Sequence, residues 1–156
     1  MKADTRYIAV VYTDGTEFIS PIRHGKIKEI VDLPRAKYQS ESEDSAEMQA
    51  VEALFNQTGL RVLNDKLKHE GLFILNDDFE VDLYSKKVKK LPPKETLMSN
   101  EKFIRADTKK PVSRIKGHQY ISFKDISKFT FSVGGLENVV EKIYAIDKEQ
   151  AQEEID

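Results

Sequence analysis

The stretch that most constrains this chain is 33–60, a polar loop followed by one marked helix and a glycine stop. Asp44 and Glu47 have the spacing of a capping box. The first side chain can accept from free N–H groups of the opening turn, and the second can reach back. Met48, Val51, Leu54 and Phe55 recur at helical spacing and predict an apolar face. Gly59 stands where a helix ends in a left-handed residue, and Leu60 can fold back onto the last turn. A helix over 44–58 with one apolar face needs another layer to bury it against.

The remaining sequence offers that layer. Residues 7–12, Tyr-Ile-Ala-Val-Val-Tyr, read as a buried strand. Thr13-Asp14-Gly15-Thr16 is a turn and Glu17–Ser20 returns, so 7–20 predicts a hairpin. Pro21–Lys26 is a polar loop, and Lys28–Leu33 is a short strand running into Pro34. After the helix, Arg61–Leu63 is extended. Gly71–Leu75 is a short apolar run that predicts a central strand. Phe79–Tyr84 alternates apolar and polar residues, which predicts a strand with one buried face, and 71–84 a second hairpin. Lys102–Ala106 and His118–Phe123 read as further strands, and 124–128 as a small turn or short helix. Gly134-Gly135 opens a helix over 135–150 with Leu136, Val139, Val140, Ile143 and Ile146 on one face. The acidic tail 148–156 is expected to fray. With about six to eight strands and two main helices, this order predicts an α/β domain of the α+β type. Its mixed β-sheet carries helices on its faces, and residues 1–156 form a single domain.

Composition narrows the partners. The net charge of -2 gives nucleic acid no large positive field to follow, so nucleic acid is not an expected partner. The chain has no cysteine, which excludes disulfides and thiolate metal sites and fits a reducing compartment. No apolar run approaches the roughly 18 residues of a membrane span, and the first residues lack a signal-peptide core. The expectation is a cytoplasmic protein without a membrane partner.

The loop and helix at 33–60 resemble the box of the Nudix hydrolase (MutT-like) family, G-x5-E-x7-R-E-U-x-E-E-x-G-U with U a bulky aliphatic, usually preceded by Leu-Pro-Gly-Gly-Lys. Here Leu33-Pro34-Arg35-Ala36-Lys37 resembles that opening, and Gly59-Leu60 matches the closing pair, with Thr58 before it. Counting back from Gly59, Leu54 takes the aliphatic position. The order of strands before the box resembles the family's. So do His118–Ile126 and the last helix after it. The resemblance therefore spans most of the chain, although its sharp part is 33–60. It implies an α/β/α sandwich with helix 44–58 on one side of the sheet and helix 135–150 on the other.

The chemical residues depart from the box. Glu52 falls at the arginine position, Ala53 at the first helix glutamate, and Asn56 and Gln57 at the glutamate pair. The Gly-Gly step is Arg35-Ala36, and the loop before the helix is about two residues longer than the usual pattern. In active members three carboxylates at these positions hold Mg2+ or Mn2+ against a pyrophosphate, as hard ions demand. A methyl and two neutral amides are poor substitutes, so the box is degenerate. No metal or other cofactor is expected, and no catalytic residue is assigned. Glu41, Glu43, Asp44, Glu47 and Glu52 are the acids from which a displaced site for Mg2+ or Mn2+ could be drawn, with Glu47 and Glu52 as its fallback ligands. A solvated acidic loop favoured by the helix dipole is the simpler account of them.

Outside the box, Arg23, Arg35 and Lys37 flank the cleft that the resemblance implies and could contact phosphates. Tyr38 could stack on a base, as could Tyr7 and Tyr12, although the latter two read first as core or edge-strand residues. His24, His69 and His118 are scattered singly and do not form a zinc-site pattern. Lys86, Lys87, Lys89, Lys90 and Lys94 lack aromatic interleaving and read as a solvated hairpin flank. Three functional expectations follow. The first is a domain that binds a small nucleotide-like or phosphorylated ligand, with hydrolysis weakened or lost. The second is an active pyrophosphohydrolase of nucleoside diphosphate derivatives that uses displaced acids. The third is a protein-interaction domain. A homodimer is compatible with each.

Overall fold

The computed structural model describes residues 5–23, 30–63, 66–76, 78–99, 102–104, 107, 109, 111–113 and 115–144. Strand β1 (Thr5–Thr13) lies at the centre of a seven-stranded mixed sheet, with β2 (Glu17–Arg23), β3 (Ile30–Val31), β4 (Arg35–Lys37), β5 (Lys68–Ile74), β6 (Phe79–Lys87) and β9 (Ile115–Ser122). The path β3-β2-β1-β6-β5 carries β4 on β1 and β9 on β2. A separate pair joins β7 (Lys102–Ile104) to β8 (Pro111–Ser113). Helix α1 (Ala46–Thr58) covers one face of the main sheet, and helix α2, described over 136–144, covers the other.

The expected 7–20 hairpin forms only at its turn. Thr13 pairs with Phe18, and the two strands then part. β1 runs parallel to β6 from Thr5↔Phe79 to Thr13↔Lys87, and β2 runs antiparallel to β9 from Glu17↔Ser122 to Arg23↔Ile115. Residues 30–37 fill the resulting fork. β3 pairs with the end of β2 at Ile22↔Val31, and β4 pairs with the start of β1 at Ile8↔Ala36. The short step Asp32-Leu33-Pro34 therefore crosses from one arm of the fork to the other.

Alternation along β1 divides the core. Ala9 and Val11 pack with Phe18, Leu33, Leu83 and Leu136 on the α2 side, while Ile8 and Val10 pack with Ala50, Val51 and Leu54 on the α1 side. Leu54 is fully buried, a burial that contributes about 1.5–3 kcal/mol. This is the α/β/α sandwich expected from the sequence.

Several local expectations shift. The N-cap of α1 is Ser45, whose Oγ accepts from Met48 N at 3.1 Å; Asp44 lies one residue outside the helix. Glu47 sits in the first turn, where the helix dipole favours an acid. β5 is an edge strand, not a central one: Phe73 packs on the core, while Leu72 and Ile74 on its other face are 47% and 70% exposed. β6 is buried on both faces: Val81 and Leu83 pack into the α2-side core, while Glu80 and Asp82 on the other face are covered by their partners Arg6 and His69. Arg61–Leu63 forms no strand. Gly59 adopts φ 79 and its N–H donates to Phe55 O, as expected for the stop. The start of the 28–33 strand, His24, Ala106, the end of the second helix and the tail 148–156 lie outside the described residues.

Candidate functional site

The crossing in the fork places a carboxylate where no water reaches it. Asp32 is fully buried, and its backbone N–H donates to Ser20 Oγ at 3.1 Å. Its Oδ1 accepts from Leu33 N at 2.8 Å. Arg23 Nε donates to Oδ2 from β2, and Arg35 Nε donates to both oxygens from β4, at 2.9 and 3.1 Å. A buried acid requires such charged and hydrogen-bonded partners. Arg35 also stacks over Tyr7, with its guanidinium carbon 4.5 Å from the ring centroid, and donates from Nη2 to Ser132 Oγ at 3.2 Å. Two guanidiniums thus share one carboxylate, and the group carries one net positive charge. The expected phosphate contacts Arg23 and Arg35 are together here. Lys37, at the outer end of β4, is exposed.

Tyr38 follows β4, with Arg6 5.2 Å from its ring centroid. It lines an open cavity of about 440 Å3 with Gln39, Ser40, Glu41 and Ser42, the loop that departs from the family's length. The adjoining sheet surface is ionic. Arg6 Nε donates to Glu80 Oε1 at 2.8 Å, and His69 Nε2 lies 2.5 Å from Asp82 Oδ1. The hydrogen bond to Glu80, and then the charges of Glu80 and Asp82, raise the Arg6 pKa against the opposing effect of burial. Burial, reinforced by the negative charges of Asp82 and Glu47, pushes the Tyr84 phenol up.

The four box positions are dispersed by their environments. Ala53 is 2% exposed and offers no ligating atom. Gln57 is 1% exposed, and its carboxamide pairs with the backbone of Arg35: Oε1 accepts from Arg35 N at 3.0 Å and Nε2 donates to Arg35 O at 2.7 Å. Asn56 is half-buried, and its carbonyl accepts from Ser99 Oγ at 3.4 Å. Glu52 pairs with Arg61 at 3.7 Å on the surface. His118 donates from Nε2 to Gln57 O, which ties the end of α1 to β9. Among the described residues no three His, Asp or Glu side chains converge, Glu47 and Glu52 included. The residues at the box do not fit the divalent ion of active Nudix enzymes.

Sequence reasoning missed Asp32, Arg6 and the His69–Asp82 pair. Asp32 had one signal, an acid between apolar Val31 and Leu33 in a strand-like run. The other two depend on pairings between β1, β5 and β6 that no local pattern announces.

No protein-family model matches the chain, and no curated protein matches it in sequence. Solved structures do share its architecture. A MutT structure from work on Aliivibrio salmonicida and Vibrio cholerae superposes with a TM-score of 0.61 at 14% identity, over 92% of this chain and 98% of that one. The Nudix domain of Shewanella oneidensis NrtR, in complex with ADP-ribose, gives 0.62 at 10% identity over 94% and 90%. The C-terminal domain of mouse MUTYH, in complex with human PCNA, gives 0.57 at 11% identity over 94% and 90%. At such identities the likeness establishes the fold: this chain has the Nudix fold. Among the described residues no helix is long and apolar enough to cross a membrane.

Proposed function

We propose that this Nudix-fold chain is a cytoplasmic binding module for a nucleotide-like or phosphorylated ligand, and that it has lost metal-dependent hydrolysis. The observation that carries the reading is the state of the box: Ala53 is buried without a ligating atom, and Gln57 is committed to the backbone of Arg35. No cofactor is needed for binding of this kind. Recognition of an anion is supported by Arg23 and Arg35 around Asp32 on the α2 side of the sheet, with Lys37 exposed two residues further on; Tyr38 and its cavity lie on the α1 side and offer a separate surface. The Shewanella NrtR domain holds ADP-ribose on the same fold, which makes nucleoside diphosphate derivatives the first ligands to test.

The test has two arms. ADP-ribose, nucleotide sugars, dinucleoside polyphosphates and nucleoside triphosphates are incubated with the protein and Mg2+ or Mn2+, and phosphate release is followed. Thermal shift then screens the same compounds for binding, where a ligand at 100 times its dissociation constant adds about 2.7 kcal/mol of stability. The expected result is a shift without turnover. Robust metal-dependent turnover abolished by Glu52→Gln would establish the displaced-acid hydrolase instead.

A second reading, an interaction module, is favoured by exposed Leu72 and Ile74 on edge strand β5. A homodimer seen by sedimentation, with no thermal shift from any nucleotide, would support it.

A further inference from the structure

We infer that Gln57 is a latch: its carboxamide acts as a substitute strand on the open edge of β4, holds Arg35 in place, and requires a neutral group where active members of the fold carry a metal-binding acid. Among the described residues β4 pairs with β1 alone. Val10 N donates to Pro34 O, and Tyr38 N donates to Arg6 O. Residues 34, 36 and 38 therefore turn their backbone groups to β1, and Arg35 between them turns its N–H and C=O the other way. Those two groups face the body of α1 and need partners. Gln57 supplies both, accepting at 3.0 Å and donating at 2.7 Å, as the peptide of a neighbouring strand would.

An amide is suited to this and a carboxylate is not. An ionised glutamate is acceptor-only, so it could take the Arg35 N–H but would face the Arg35 carbonyl with a second acceptor and a buried charge. A protonated carboxyl has one donor and can restore the pair. Among the described residues, the charged or titratable groups seen at the latch are Arg35, paired with Asp32, and His118, which donates to the Gln57 carbonyl. The same latch fixes the backbone from which the Arg35 guanidinium reaches Asp32, Tyr7 and Ser132. Gln57 is thus a positioning residue for Arg35. That positioning serves an anionic ligand only if the binding reading holds, whereas the latch itself needs no ligand.

Three measurements test it. In the unaltered protein, NMR should show a scalar coupling across the hydrogen bond from the Gln57 side-chain amide to the Arg35 carbonyl, and slow exchange of the Arg35 amide. In Gln57→Glu the melting temperature should fall relative to the parent by about 5 °C or more at pH 8 and by less than about 2 °C at pH 4, because burial raises the pKa of the new carboxyl. The sign follows from linkage: stability is retained while the carboxyl is protonated, below about pH 4, and lost as pH rises through the raised value. Gln57→Met should lower the melting temperature by an amount that does not change with pH, and should speed Arg35 amide exchange while leaving that of Leu54 unchanged. Absence of the coupling, a pH-independent effect of Gln57→Glu, or stabilisation of Gln57→Glu by Mn2+ would each overturn the latch. None of these readouts involves nucleotide, so failure of the latch and failure of the binding reading are separately visible.

Discussion

Asp32 and Arg35 form a bifurcated pair, with the one Nε–H of Arg35 shared between the two carboxylate oxygens of a fully buried aspartate at 2.9 and 3.1 Å. The pair spans the fork between β3 and β4, and Arg23 joins it from β2. Removing one partner of a buried pair leaves the other charge uncompensated, which costs about 3–5 kcal/mol. Asp32→Asn is therefore expected to lower stability by an amount in that range, with two guanidiniums left facing each other across a neutral amide. Urea unfolding of the two proteins under the same conditions measures it. A loss below about 1 kcal/mol would mean that solvent already serves the arginines.

Gly59 is the second point of fragility. Its φ of 79 lies in the left-handed region, and a Cβ there would stand 3.3 Å from the Met98 carbonyl oxygen. Gly59→Ala is expected to cost about 1–2 kcal/mol from the backbone conformation alone, more if Met98 cannot yield. The effect should appear in the denaturation midpoint at unchanged slope. This stop was legible in the sequence, and so was the return of Leu60 onto the core, because both depend on a few adjacent residues. β4 was not legible: Arg-Ala-Lys is too short and too polar to announce a strand, and it exists because the splayed arms of β1 and β2 leave a gap to fill.

At the other end of α1 the sequence pointed to Asp44 as the cap, although Ser45 beside it has similar intrinsic merit. The structure uses Ser45, whose hydroxyl accepts from Met48 N. Ser45→Ala should cost about 1 kcal/mol, whereas Asp44→Ala should cost no more than about 0.5 kcal/mol. Paired thermal melts decide the matter, and the reverse order would place the cap one residue earlier.

The first turn has its own pH dependence. Asp14 Oδ1 accepts from Thr16 N at 2.8 Å and Glu17 N at 2.9 Å. These bonds, that to Glu17 foremost, hold its carboxyl below the ordinary value of 3.8. A depressed folded pKa contributes stability that is full above the unfolded value and disappears as pH falls through the folded one. The stability difference between parent and Asp14→Ala should therefore be constant from pH 7 down to about pH 5 and shrink below about pH 4. Urea midpoints across that range test it. A difference that grows on acidification would contradict the assignment.

The box itself was legible as a scaffold and illegible as chemistry. Leu54 and Gly59 hold positions that packing and backbone geometry enforce, and pattern alone found them. The role of Gln57 could not be read, because it depends on Arg35, 22 residues away, turning its backbone toward the helix. Placing acids at these positions on sequence grounds should accordingly fail. Ala53→Glu places a long side chain at a site that is 2% exposed, where overpacking costs about 1–3 kcal/mol before any charge is buried. Gln57→Glu removes the donor that Arg35 O now uses. The double variant is expected to be less stable than either single one and to show no Mn2+-dependent release of phosphate from ADP-ribose. Turnover by the folded double variant would show that the helix can still open a metal site, and that only two side chains separate this chain from a working hydrolase.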